Sequence, residues 1–188
     1  MNTTEKYRFQ NMEYLIQLIA DKAQNLFITK QLMCSEAVLT VLNRSLSGGL
    51  GPGLDIQLAS GLSEGIGGSG CSCGALTGGI LSLGLFLGRE KPGFMNNKTI
   101  MNASKELHDN FRNRFNSTCC RVLSKNVKHG SKDHYKNGAE IVRFSSEQTG
   151  RILLRKKPEL ISSADYIFLE QSDSGIKSAL KKLSNSFT

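Results

Sequence analysis

The sequence lacks the features that mark several large functional classes. It has no tryptophan, and its few aromatic residues do not alternate with basic ones, so its net charge of +8 comes without a nucleic-acid-binding motif. The Gly-rich turn 67–74 lacks the Gly-Lys-Ser/Thr ending of a phosphate-binding loop, and no strand is predicted before it, so a nucleotide site is not indicated. No Ser-His-Asp arrangement and no catalytic carboxylate pair stands out. The positive charge therefore favours solubility or an acidic partner protein, with Lys156-Lys157 and Lys181-Lys182 as candidate docking runs for an acidic redox partner.

Long hydrophobic runs are also lacking. Residues 65–88 carry no charge, but the apolar part covers only 75–87, which predicts a buried core helix and no membrane crossing. The first residues run into an amphipathic helix and not into the apolar core of a secretory signal. We therefore expect a cytoplasmic protein with reduced cysteines. Because five is an odd number, complete disulfide pairing within the chain is impossible.

The hydrophobic periodicity predicts an all-α protein, a helical bundle of about five main helices with a short C-terminal extension. We expect one domain over residues 1–157 and an extension over 158–188 that packs on it or is tethered to it. The first main helix is predicted to end near residue 30 and the second to begin near residue 34; the others are predicted over 73–87, 99–115 and 134–154. Smaller elements are predicted as a short helix over 55–62, a strand-like segment over 166–169 and an amphipathic helix over 176–183.

The five cysteines are the most informative residues. Cys71 and Cys73 lie in a Gly-rich turn between Gly70 and Gly74, Cys119 and Cys120 are adjacent, and Cys34 stands alone. Cys34 and Cys73 fall at predicted helix starts, where unpaired backbone N–H groups and the helix dipole favour a thiolate. Since neighbours on a helix point about 100° apart, we expect only one of the two adjacent cysteines to face the same site as Cys73.

These sulfurs suit several kinds of chemistry. Thiolates are soft ligands, so the first hypothesis is an iron–sulfur cluster that serves electron transfer or redox sensing. The second is a metal-free thiol–disulfide oxidoreductase or thiol redox sensor. The third is a structural zinc site, and packing of cysteines as small hydrophobic residues is the remaining alternative. His108, His129 and His134 lack a ligand-type spacing to the cysteines and are interpreted as surface residues, with the last two retained as outside candidates. Glu64 is interpreted as a solvated or capping residue.

Three segments together resemble a known family. Residues 34–39 (CSEAVL), 70–78 (GCSCGALTG) and 120–123 (CRVL) are similar to the redox-active family named for the pattern C…GCAxxG…C…C, and the resemblance spans about 24–155. The same module resembles the iron–sulfur-binding part of split-Soret cytochromes. Without Cys-x-x-Cys-His, covalent haem is not indicated. The family also suggests dimers.

The resemblance implies four cysteine ligands, of which three match Cys34, Cys73 and Cys120. The fourth would fall near Gly138, where this chain has no cysteine. We therefore expect Cys71, Cys119 or both to supply the missing sulfur, with Gly70 and Gly74 beside the cofactor, in a variant or larger cluster.

Overall fold

The computed structural model describes residues 3–93 and 97–171, and within these ranges every regular element is helical. The all-α prediction is therefore confirmed. In chain order the helices are α1 (Thr3–Ile28), α2 (Cys34–Ser45), α3 (Leu54–Ser60), α4 (Ser63–Ile66), α5 (Gly74–Leu87), α6 (Lys98–Phe115), α7 (Cys120–Leu123), α8 (Lys132–Lys156) and α9 (Tyr166–Glu170), with a 3₁₀ turn at Pro158–Ile161.

The two longest helices, α1 and α8, pack side by side and run antiparallel. Arg151 donates to Glu13 through its two terminal guanidinium nitrogens, one of these contacts measuring 2.9 Å, and Arg143 donates to Asp21 at 2.9 Å. The apolar faces beneath these pairs are fully buried, with Leu15, Ile16 and Ile19 on one helix and Ile152 and Leu153 on the other. The burial of this seam is the larger stabilising contribution, because exposed ion pairs add about 0–1 kcal/mol each.

Helices α2 and α5 run side by side in the same direction through the centre of the molecule. A Cβ atom on Gly78 would lie 2.5 Å from the carbonyl oxygen of Ser35, so only glycine allows this close approach. At the other end, a Cβ atom on Gly48 would lie 2.6 Å from Leu85. The two helix starts therefore lie together, which brings Cys34 to the beginning of α5.

Helix α6 covers the outer side of α5 and ends beneath a ring cluster. Phe111 and Phe115 have ring centroids 4.9 Å apart, and Phe115 stacks edge-on against Phe144 of α8 at 5.2 Å. Asn116 then ends the helix in the left-handed conformation with φ 58°. This reversal sends the chain back towards the start of α5, where the adjacent cysteines follow.

Two predicted elements differ from the structure or lie beyond it. The prediction of a strand-like segment at 166–169 is wrong, because these residues form α9, whose first turn is capped by the Asp165 carboxylate accepting from the N–H of Phe168 at 2.9 Å. The helix predicted over 176–183 lies outside the described residues. None of the described helices combines the length and the apolar character that crossing a membrane requires.

Candidate functional site

Two distant segments, residues 69–73 and 118–121, are joined by hydrogen bonds at the start of α5. The N–H of Cys73 donates to the carbonyl of Thr118 at 2.7 Å, and the N–H of Arg121 donates to the carbonyl of Gly70 at 3.0 Å. The Arg121 guanidinium adds a bond of 2.8 Å to the carbonyl of Ser69. These bonds set the relative position of the two cysteine pairs.

The first cysteine of one pair is bonded to the first cysteine of the other pair. Cys71 and Cys119 form a disulfide with Cα atoms 4.3 Å apart. Cys71 is exposed and Cys119 is half-buried. The sequence predicted reduced thiols and gave no sign of this pairing, because the pairing depends on how α6 returns the chain to the Gly-rich turn.

The other three cysteines are free thiols that the fold brings together. Cys34 is the first residue of α2, Cys73 immediately precedes α5 and is 3% exposed, and Cys120 begins α7. A Cβ atom on Gly74 would lie 2.5 Å from the Cys34 sulfur, so glycine is required for that sulfur to reach the α5 start. The expectation that one of the adjacent cysteines faces Cys73 fits this arrangement, since Cys120 hydrogen-bonds to Cys73.

The three thiols have different acidities. The hydrogen bond from Cys73 lowers the pKa of Cys120 to about 7, and the backbone N–H of Gly74 acts in the same direction. The same hydrogen bond, followed by burial, raises the pKa of Cys73 well above its ordinary value. Burial raises the pKa of Cys34, against the opposing effect of a hydrogen bond from the Glu64 N–H. Cys120 is therefore the most nucleophilic of the three at neutral pH.

The three thiols line one cavity of about 510 Å³. Its apolar wall includes Phe27, Leu32 and Ile141. Within the described residues, however, no three Cys, His, Asp or Glu side chains are grouped closely enough to hold one metal ion. The thiols therefore share a cavity without being preset around a metal.

Comparison with known protein families gives a match over most of the chain. Residues 32–152 match the family described as "Putative redox-active protein (C_GCAxxG_C_C)". The chain belongs to this family. No match to the chain was found among curated proteins or among solved structures. Cys34, Cys73 and Cys120, which the resemblance to the family's pattern singled out, are the free thiols of the cavity, whereas Cys71 and Cys119 form the disulfide.

Gly138 of α8 also lines the cavity, and the family's fourth cysteine was expected near it. A Cβ atom on Gly138 would lie 2.8 Å from the ring of Phe27. Any larger residue at this position would therefore require the ring to shift. The Phe27 ring therefore occupies the space that a side chain at position 138 would need.

Polar side chains also line the cavity. His129 and His134 have ring centroids 4.7 Å apart, and Glu64 lies 3.4 Å from His129. All three line the cavity, although the sequence indicated surface residues, and the side chains of His129 and Glu64 are indeed 74% and 56% exposed. His108 lies elsewhere on α6, bound to Asp109 at 3.0 Å. The sequence interval between Glu64 and His129 gave no signal that they would meet.

Proposed function

We propose that this redox-family protein binds an iron–sulfur cluster in the cysteine cavity, through Cys34, Cys73 and Cys120. The observation that carries the proposal is the presence of these three free thiols, from three separate segments, on the wall of one cavity. A bound cluster would supply electron transfer at sulfur-ligated iron. The protein itself supplies the thiolates, their hydrogen bonds and an apolar wall.

The donor set fits such a group in its chemistry. Thiolates are the usual cluster ligands, and backbone N–H groups of Leu76 and Gly74 hydrogen-bond to Cys73 and Cys120. Ser63 and the N–H groups of Ser35 and Glu64 do the same for Cys34. Such hydrogen bonds stabilise negative charge on sulfur and tune the redox potential of the group it binds.

A cluster with four protein ligands needs one more donor beside the three free thiols. Cys71 and Cys119 were expected to supply it, but a sulfur in their disulfide must first be reduced before it can act as a thiolate. His129, His134 and Glu64 offer nitrogen and oxygen donors on the same cavity. We propose a reduced Cys71 or Cys119 as the fourth ligand, because soft sulfur donors match the other three.

The test is purification without oxygen, followed by analysis of iron, sulfide and zinc. We expect a brown protein with iron and sulfide in equal amounts, and we expect alanine at Cys34, Cys73 or Cys120 to remove most of both. The double variant Cys71→Ser/Cys119→Ser tests the fourth ligand, since unchanged iron content in it would exclude both residues. A protein that contains zinc alone, or no metal after anaerobic purification, contradicts the cluster.

The second candidate function is metal-free thiol–disulfide chemistry. It is favoured by the hydrogen bond between Cys73 and Cys120, which lie two residues after Cys71 and one residue after Cys119. Mild oxidation of the metal-free protein would then join Cys73 to Cys120, and dithiothreitol would reverse it. Peptide mapping of the oxidised protein checks this pairing, and a protein in which these two thiols stay free under the oxidant excludes it.

A further inference from the structure

The outer disulfide differs from the cavity thiols in facing solvent. Cys71 is exposed, and the turn around it consists of glycine and serine from residue 67 to residue 70. These small side chains leave the sulfur open to an approaching macromolecule. A disulfide in such a position is accessible to thiol–disulfide exchange with the thiol of another protein.

The other half of the disulfide lies in a segment of one charge sign. Residues 110–132, which we call the basic segment, contain six Lys and Arg residues and no Asp or Glu. Arg114 is bound to Glu140 at 2.8 Å, and Arg121 to the carbonyl of Ser69. In the part of the chain that the structure describes, neither Lys125 nor Lys128 forms an ion pair, and both are exposed.

Carboxylates reach this region from two other elements. Glu140 of α8 pairs with Arg114, and Glu64 of α4 lies beside His129. Neither carboxylate pairs with Lys125, Lys128 or Arg112, so the positive charge of these three side chains is not neutralised by them. Exposed apolar side chains accompany the cations, since Val122 and Ile66 are each 48% exposed, and α4 contacts α7. The surface around the disulfide therefore combines positive charge with apolar contact area.

From these observations we propose that the Cys71–Cys119 disulfide is the exchange site for an acidic protein that carries a reactive dithiol. The partner docks on the basic segment, and the exchange takes place in the metal-free form, because a cluster held by Cys71 or Cys119 would leave no disulfide to reduce. Its charge is complementary to the surface, so attraction accelerates the encounter and weakens with salt.

The electron transfer proceeds in two exchanges. One partner thiolate attacks the exposed sulfur of Cys71, the bond to Cys119 breaks, and Cys119 leaves as a thiolate that takes a proton. The second partner thiol, as its thiolate, then attacks the partner's sulfur in the mixed disulfide and releases Cys71. Two electrons pass to the chain, and the partner becomes a disulfide.

The experiment uses the full chain, metal-free and oxidised at Cys71–Cys119, with reduced thioredoxin as the acidic dithiol probe. Reduction is followed by quenching with iodoacetamide and counting alkylated cysteines by mass spectrometry. Dithiothreitol, a small uncharged dithiol, is the parallel probe. We expect the thioredoxin rate to fall with added salt and the dithiothreitol rate to stay nearly constant.

Two charge-reversal variants separate docking from net charge. In Lys125→Glu/Lys128→Glu, we expect reduction by thioredoxin at low salt to slow about tenfold. Lys156→Glu/Lys157→Glu changes the net charge equally at the end of α8, in the run that the sequence offered as another docking candidate, and should slow reduction by thioredoxin less than about twofold. Both should react normally with dithiothreitol, which shows that the disulfide itself is unaltered.

Three results would overturn the proposal. One is equal slowing in both variants, another is a thioredoxin rate that does not depend on salt, and the third is five alkylated cysteines in the oxidised protein before any reductant is added. None of these depends on iron or sulfide content, so the cluster can fail while the exchange site stands, and the reverse.

Discussion

At the scale of single residues, one hydrogen bond gives two neighbouring thiols different pKa values. Cys73 is buried and donates to Cys120, which lies nearer the surface and also receives the N–H of Gly74. The proton therefore stays on Cys73 while Cys120 ionises. This assignment gives the two sulfurs different roles in any exchange, with Cys120 as the attacking group and Cys73 as the resolving group.

The alkylation of Cys120 in the metal-free protein should reflect this arrangement. Its rate with iodoacetamide is expected to reach half its maximum at a pH of about 7. Cys73→Ala removes the donor, raises the pKa of Cys120 and lowers its alkylation rate at pH 7 by at least about tenfold. Cys73→Ser keeps a hydroxyl donor and should lie between the two. Peptide mass spectrometry across a pH series measures each rate, and a rate at Cys120 that Cys73→Ala leaves unchanged would contradict this assignment.

At the scale of helices, the site depends on the glycine face of α5. Gly74 and Gly78 lie one turn apart and face the first residues of α2, so two helix starts meet at backbone distance. Without side chains on this face, the sulfur of Cys34 reaches the start of α5. A stripe of small residues in the sequence thus becomes the contact that assembles the thiols.

Two glycines of α5 provide a matched pair of substitutions. Gly74→Ala places a methyl group 2.5 Å from the Cys34 sulfur and 2.9 Å from the carbonyl oxygen of Leu62. We expect it to lower the free energy of unfolding by about 1–3 kcal/mol. Gly84→Ala meets nothing within 4 Å and should raise that free energy by up to about 1 kcal/mol, because alanine favours the helix. Urea unfolding of both variants checks the difference, and equal effects would show that Gly74 is not in tight contact.

The helices, and the cysteines that lie at helix starts, could be predicted from the sequence. Which cysteine bonds to which could not. Apolar periodicity and helix-start residues are local, so Cys34 was correctly placed at the start of α2 and Cys73 at the start of α5. The segment 166–169 was wrongly predicted because its apolar run has no helical period and a single capping residue, Asp165, decides its conformation. The disulfide was missed because it joins residues 48 apart, which no local pattern encodes.

At the scale of the whole molecule, the disulfide closes a loop that contains α5 and α6. The loop starts at the Gly-rich turn, passes through the central helix and returns at the adjacent cysteines. Because the crosslink restricts the unfolded chain, it stabilises the fold in proportion to the logarithm of loop length. The stability of the protein is therefore tied to its thiol redox state.

Reduction of the metal-free protein should lower the free energy of unfolding by about 2–4 kcal/mol for this 48-residue separation. Urea unfolding with and without dithiothreitol measures the change. The control is the double variant Cys71→Ser/Cys119→Ser, which should unfold as the reduced protein does and show no response to dithiothreitol. A wild-type curve that reductant does not move would contradict the predicted stabilisation.

The contact between Phe27 and Gly138 carries a consequence for the evolution of the family. A relative with a cysteine at the position of Gly138 needs the volume that the Phe27 ring occupies here. The two positions should therefore co-vary, with a bulky aromatic beside glycine and a smaller side chain beside the sulfur. Relatives of this chain would then differ at both positions together, with either a cysteine at position 138 or an aromatic side chain at position 27.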